Sequence, residues 1–193
     1  MKRFSGCRIL MIANRFFGIE DNIRKSLEAE GATVDYFDER PGNGFLVKAL
    51  IRVNSRLIKG YVNRYHERLI ESVKGRRYDY IFFIKGESFS YRNLESLLKS
   101  HSEAVSIVYH WDSIVDNANA LNLLELFDRK FSFDPDDCRR YDMSFLPLFY
   151  YDEYARLNKK RGEEREERRE KSMERKDSGE YKYDLLFVGT AHN

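Results

Sequence analysis

Short runs of continuous apolar residues alternate along the chain with segments in which apolar residues recur every three or four positions. The runs are Ile9-Leu10-Met11-Ile12-Ala13, Val34-Asp35-Tyr36-Phe37, Tyr80-Ile81-Phe82-Phe83-Ile84, Val105-Ser106-Ile107-Val108-Tyr109 and Lys130-Phe131-Ser132-Phe133. Runs of this length predict buried strands. Between them, Ile19, Ile23 and Leu27, a long segment from Phe45 to Lys74, Leu94 to Leu98, and Leu121 to Phe127 keep helical spacing. Each predicted strand but the last is thus followed by a predicted helix. Near-continuous apolar strands separated by helices are the mark of a parallel sheet covered on both faces, a doubly wound, Rossmann-like α/β fold. Gly31 stands where a left-handed residue ends a helix, and Asp134-Pro135 supplies an N-cap and a first-turn proline.

The pattern changes near the carboxyl end. From Arg156 to Asp177 almost every residue is charged, with signs closely interleaved, and there is little to bury. Such a segment is an exposed helix laced by i,i+4 pairs or a solvated linker; either way it serves as a connector. Beyond it, Tyr183-Asp184-Leu185-Leu186-Phe187-Val188-Gly189-Thr190-Ala191-His192-Asn193 reads as a strand running into a small-residue loop with no helix behind it. The expected layout is a Rossmann-like domain over residues 1–153, a connector over 154–182, and the first strand and loop of a further domain over 183–193. The unfinished unit suggests an engineered boundary or a truncated reading frame.

Composition adds limits more than direction. A chain of 193 residues holds one ordinary domain and an appendage. The formal charge of +2 gives no reason to expect nucleic acid as a partner. Two cysteines, Cys7 and Cys138, lack metal-ligand spacing and fit free thiols in the reducing cytoplasm. No run approaches the roughly 18 apolar residues that span a bilayer, and the first apolar stretch is too short for a signal peptide.

In an open parallel sheet, ligands bind beyond the carboxyl ends of the strands. Those ends carry Asn14-Arg15-Phe16-Phe17-Gly18, Asp38-Glu39-Arg40-Pro41-Gly42, Lys85-Gly86-Glu87-Ser88, His110-Trp111-Asp112-Ser113 and Asp134-Pro135-Asp136-Asp137. They mix candidate bases (Glu87, His110, Asp112) with candidate anion contacts (Arg15, Arg40, Lys85), as a cleft wall would. The remaining candidate substrate contacts are Asn14, Phe17, Gly18, Gly86, Trp111, Ser113 and Asp134. Each also has a bland reading as a solvated turn or a helix cap. The chain has no phosphate-binding Gly-x-x-x-x-Gly-Lys-Ser/Thr loop, and Gly42-Asn43-Gly44 follows the second strand rather than the first, so it reads as a turn. The four histidines lack partners at ligand spacing, and no metal is expected.

The segment after Gly44 is amphipathic. Leu46, Leu50, Val53, Leu57, Tyr61, Leu69 and Val73 form an apolar stripe, while Lys48, Arg52, Arg56 and Lys59 line another face. A basic helix or helix pair over residues 45–74 suits peripheral contact with an anionic membrane or a phosphate-bearing lipid-linked acceptor, and equally the solvated face of a core helix.

Five segments together carry a resemblance: Tyr36 to Pro41, Tyr78 to Glu87, Trp111-Asp112-Ser113, Phe131 to Cys138, and Tyr183 to His192. In this order and spacing they resemble bacterial glycosyltransferases of the capsule, lipopolysaccharide and spore-maturation (CgeB-like) kind. The resemblance spans nearly the whole chain; the connector is longer and more charged than it requires. It implies the amino-terminal, acceptor-side half of a GT-B enzyme, in which two Rossmann-like domains face each other across a cleft. The donor is then a nucleotide sugar, no cofactor or metal is needed, and the acceptor is a cell-surface polysaccharide, lipopolysaccharide or glycoprotein. Asp184 to Val188 would open the donor domain, with Gly189 and Thr190 letting backbone amides approach the donor; alternatively that strand is a sixth one of the first sheet.

Sugar transfer needs a base for the acceptor hydroxyl and positive charge for the leaving diphosphate. For the base, Asp112 ranks first, Glu87 second and His110 third, because they follow consecutive predicted central strands. A non-catalytic Rossmann-like binding module using the same loops is the alternative. A phosphoacceptor receiver domain is rejected, since Asn14-Arg15 and Lys85 stand where acidic residues would be required.

Overall fold

A computed structural model describes residues 2–42, 55–116 and 118–148. The chain divides into two units, Met1–Leu148 and Phe149–Asn193. The second unit lies outside the described residues, and with it the connector, the strand expected at Asp184 to Val188, and Gly189 and Thr190.

The first unit is a six-stranded, all-parallel sheet in the order β2-β1-β3-β4-β5-β6. Its strands are β1 (Arg8–Ala13), β2 (Thr33–Asp38), β3 (Tyr80–Ile84), β4 (Val105–His110), β5 (Arg129–Ser132) and β6 (Ser144–Phe145). The described helices are α1 (Ile19–Ala29), α2 (Ser55–Val73), α3 (Tyr91–Ser100), the short α4 (Ala118–Leu121) and α5 (Pro135–Tyr141). Single 3₁₀ turns at Ile114–Asp116 and Leu124–Leu126 flank α4.

Side-chain alternation along the strands builds the two layers. On β1, Leu10 and Ile12 join the larger core with Leu69 and Val73 of α2 and Leu94 and Leu97 of α3. Met11 and Ala13 face the opposite way, toward Ile84 and against Ile23 and Leu27 of α1. Helices therefore cover both faces, as the doubly wound pattern requires. Fully burying a side chain such as Leu10, Ile12 or Phe83 contributes about 1.5–3 kcal/mol.

Local signals set the helix ends. Asp134 accepts a hydrogen bond from Asp136 N at 2.8 Å, with Pro135 in the first turn of α5. Ser90 caps α3 through Asn93 N. Gly31, at φ 98°, follows α1, and a Cβ there would meet Ser5 Cα at 3.1 Å. The Asp134-Pro135 cap and Gly31 agree with the sequence pattern.

Three elements differ from it. The stretch from Leu121 to Phe127 is a helix end and a 3₁₀ turn rather than one helix, with Leu123, Leu124 and Phe127 anchored in the core. Strand β6 is only two residues long and carries no apolar run. Of the long amphipathic segment, α2 supplies Leu69 and Val73 to the core, whereas Tyr61 is exposed; residues 43–54 lie outside the described residues. Among the described residues, no helix is long and apolar enough to cross a membrane.

Candidate functional site

From β1 the chain moves to one side of the sheet to make β2, and then crosses to the other side to make β3. Loops leaving β1 and β3 therefore diverge, and a crevice opens between their carboxyl ends. Both loops contain the same unusual pair, a bulky left-handed residue followed by a left-handed glycine. Phe17 (φ 51°) precedes Gly18 (φ 77°), and Lys85 (φ 74°) precedes Gly86 (φ 65°). A bulky residue with positive φ costs about 1–3 kcal/mol, and such strain concentrates where side chains must be aimed for function.

The two loops use the geometry differently. In the first, Phe16 and Phe17 form an edge-to-face pair at 4.7 Å, and Phe17 is 91% exposed. In the second, Lys85 N donates to Tyr109 O at 3.0 Å, and its ammonium pairs with Asp112 from the end of β4.

Glu87 stands at the centre. Its carboxylate accepts from Asn14 Nδ2 at 3.1 Å and pairs with Arg40 beyond β2. Its carbonyl accepts from Asn119 Nδ2 at 2.7 Å. Residues from the ends of β1, β2, β3 and β4 thus converge around two ion pairs, Arg40–Glu87 and Lys85–Asp112.

The other expected residues fall around this centre. His110 is buried, and burial pushes its imidazole down to about 4, so it is neutral at pH 7 and a weak base. Trp111 is half-buried and packs on the α1 side of the sheet. Ser113 Oγ lies 3.5 Å from Asp137 Oδ1, and Asp137 also accepts Ile114 N at 2.8 Å, which fixes the loop after β4. Asp134 is occupied as the α5 cap. Arg15 is exposed beside the Tyr36 phenol.

Helix α1 points its amino terminus toward the crevice, but acidic side chains already occupy it. Glu20 and Asp21 lie in its first turn, and Glu20 Oε2 accepts Phe16 N at 3.0 Å. A phosphate at that terminus would meet these carboxylates rather than an open set of N–H groups. Two of the three expected anion contacts, Arg40 and Lys85, are likewise neutralised by carboxylates.

Glu39 was not among the residues singled out from sequence, yet it is completely buried. Its Oε1 accepts both Ser88 N and Ser88 Oγ. The surrounding run Asp38-Glu39-Arg40-Pro41 looks like a solvated turn; only packing of α2 and the β3 loop over it reveals the burial. Alternation from Phe37, a core residue, offers the one sequence hint.

At the opposite, amino-terminal ends of β3 and β4, a cavity of about 360 Å³ is lined by Arg76, Arg77, Tyr78 and His101 among others. Its arginines pair with Asp35 and Glu103, and both His101 ring nitrogens have hydrogen-bond partners. Among the described residues, no group of three or more His, Cys, Asp or Glu could hold a metal ion.

No family model, curated protein or solved structure matches the chain.

Proposed function

We propose that this domain is the acceptor side of a GT-B glycosyltransferase, which moves a sugar from a nucleoside diphosphate donor to a cell-surface polysaccharide, lipopolysaccharide or glycoprotein acceptor in the cytoplasm. The observation that carries the reading is Glu87, a carboxylate held by Asn14 and Arg40 at the crevice, with neighbouring cations already paired. Carboxylates accept hydrogen bonds from hydroxyls, and neutralised cations attract a phosphate weakly. Such a crevice favours a neutral, hydroxyl-rich molecule over a nucleotide. The exposed Phe16–Phe17 pair offers an apolar face against which a sugar ring can lie.

In this reading an acceptor hydroxyl donates to Glu87 or Asp112, and the receiving carboxylate takes its proton as the glycosidic bond forms. Glu87 now ranks above Asp112, because partners from two other strand ends fix it and Asp112 is more exposed. His110 is the weakest candidate, being buried and neutral. The diphosphate would be bound by a different domain, since the α1 terminus here is acidic.

The test is nucleoside diphosphate release by the product of the longest reading frame containing this chain, incubated with UDP- and GDP-sugars and simple saccharide acceptors. Acceptor-dependent release is expected, reduced about 10²- to 10⁴-fold by Glu87→Gln. No release with any donor, together with saccharide-induced thermal stabilisation, would favour a non-catalytic binding module. That second reading draws on the same two ion pairs, because both carboxylates are engaged by cations before any substrate arrives.

A further inference from the structure

Two consecutive residues after β2 hold two consecutive residues after β3, reaching across the end of β1. Arg40 pairs with Glu87, and Glu39 accepts from Ser88 N at 2.5 Å and Ser88 Oγ at 2.9 Å. Beneath them, His66 of α2 stacks on Phe89 at 3.7 Å, and its Nε2 lies 2.8 Å from Glu39 O. A carbonyl oxygen only accepts, so Nε2 carries the ring proton and Nδ1 is left as an acceptor.

Three buried polar atoms here have no hydrogen-bond partner among the described residues: Glu39 Oε2, Asn14 Oδ1 and His66 Nδ1. They belong to one neighbourhood. Ile12 and Phe37 are register partners on the α2 side of the sheet, and Asn14 and Glu39 each lie one residue beyond the ends of those strands, where Glu39 N still donates to Ala13 O. An amide oxygen and a bare ring nitrogen are both acceptors, and an ionised Glu39 would add a third. A proton on Glu39 Oε2 would turn one of these three acceptors into a donor.

We propose that Glu39 is a positioning residue for Glu87, acting through Ser88, and that it does so as a carboxyl group carrying a proton on Oε2. The inference rests on Glu87 being the group that meets the acceptor. Burial is the main force on the Glu39 carboxyl, opposed by the Ser88 donors and Arg40 and assisted by the Glu87 carboxylate, and it sits at about 7. His66 faces it from α2, held neutral by its own burial. Asn14, just beyond the neighbouring β1, brings no charge, and Asp38 precedes Glu39 at the end of β2. When Glu39 loses its proton, its charge repels Glu87 and grips Ser88 harder. The place of Glu87 is then coupled to pH near neutrality.

The experiment follows the Ser88 backbone amide and the Asn14 side-chain amide by ¹⁵N NMR from pH 5 to 8, in the wild-type protein, Glu39→Gln and Glu87→Gln. Both signals are expected to titrate together near neutrality in the wild type. Both transitions disappear in Glu39→Gln, and the Ser88 midpoint moves to lower pH in Glu87→Gln, where the like charge is gone. Should Glu39→Gln fail to fold, the ¹³C carboxyl resonance of Glu39 in the wild type reads the same proton directly. A Ser88 amide that is flat between pH 5 and 8, or that still titrates in Glu39→Gln, overturns the proposal. The readout needs no substrate, so it can succeed where the transfer assay fails, leaving the clasp standing and the glycosyltransferase reading lost.

Discussion

Asn14 and Glu87 meet across the crevice between β1 and β3, the amide donating to the carboxylate at 3.1 Å. Their contact ties together the two loops between which the parallel sheet places a ligand. Asn14 is only 7% exposed, and its removal leaves the half-buried Glu87 carboxylate with one partner fewer. Asn14→Ala is expected to cost about 1–3 kcal/mol in urea unfolding. Asn14→Asp, which sets a second carboxylate against Glu87, should cost more at pH 7 and recover part of that loss at pH 5. Equal, pH-independent losses for the two variants would contradict a direct Asn14–Glu87 contact.

The pH dependence of stability should reflect two buried groups that work against each other. Glu39 is raised from 4.5 to about 7 in the folded protein, so its contribution to stability falls as pH rises through that window. His110 is lowered from 6.5 to about 4, so its contribution falls as pH drops from 6.5 toward 4. Each is worth on the order of 3 kcal/mol at full extent, and the windows overlap. The wild-type melting temperature should therefore be nearly flat between pH 5 and 6.5. Glu39→Gln should expose an acid-sensitive protein, and His110→Gln one that weakens toward neutral pH. Parallel pH profiles for all three proteins would refute this pairing.

Phe17 occupies a backbone conformation that suits glycine, with its ring almost wholly in solvent. Phe17→Gly should exceed Phe17→Ala in stability by about 1 kcal/mol, because only the first relieves the left-handed strain. Both should lose saccharide affinity to a similar extent, since both lack the ring. Calorimetric unfolding and saccharide titration of the pair separate these effects. A Phe17→Gly protein that binds as well as wild type would remove the aromatic pair from the site.

Much of the fold was legible because burial on both faces leaves an unambiguous mark. Tyr80 to Ile84 and Ile9 to Ala13 have no polar alternation, which only covered parallel strands tolerate. Ser144–Phe145 left no such mark, since a two-residue edge strand needs no apolar run. The site was legible in part. The strand-end rule led to Asn14, Arg40, Lys85, Glu87 and Asp112, which do come together. It could not reveal that Arg40 and Lys85 arrive already paired, or that His110 is buried and neutral. Glu39 escaped notice for the same physical reason: its burial is created by His66, Ser88 and Phe89, residues distant in the chain.

The central claim is that the crevice takes a neutral, hydroxyl-rich molecule and that the diphosphate is bound elsewhere. Amide chemical-shift mapping of this chain, titrated separately with a panel of saccharides and with UDP and GDP, tests it most directly. At least one saccharide should move the signals of Asn14, Gly86, Glu87, Ser88 and Asp112, while neither nucleotide moves those of Gly18 to Asp21 at the start of α1. Nucleotide-induced shifts at Gly18 to Asp21, with no saccharide response around Glu87, would contradict the claim and make this the nucleotide-binding domain instead.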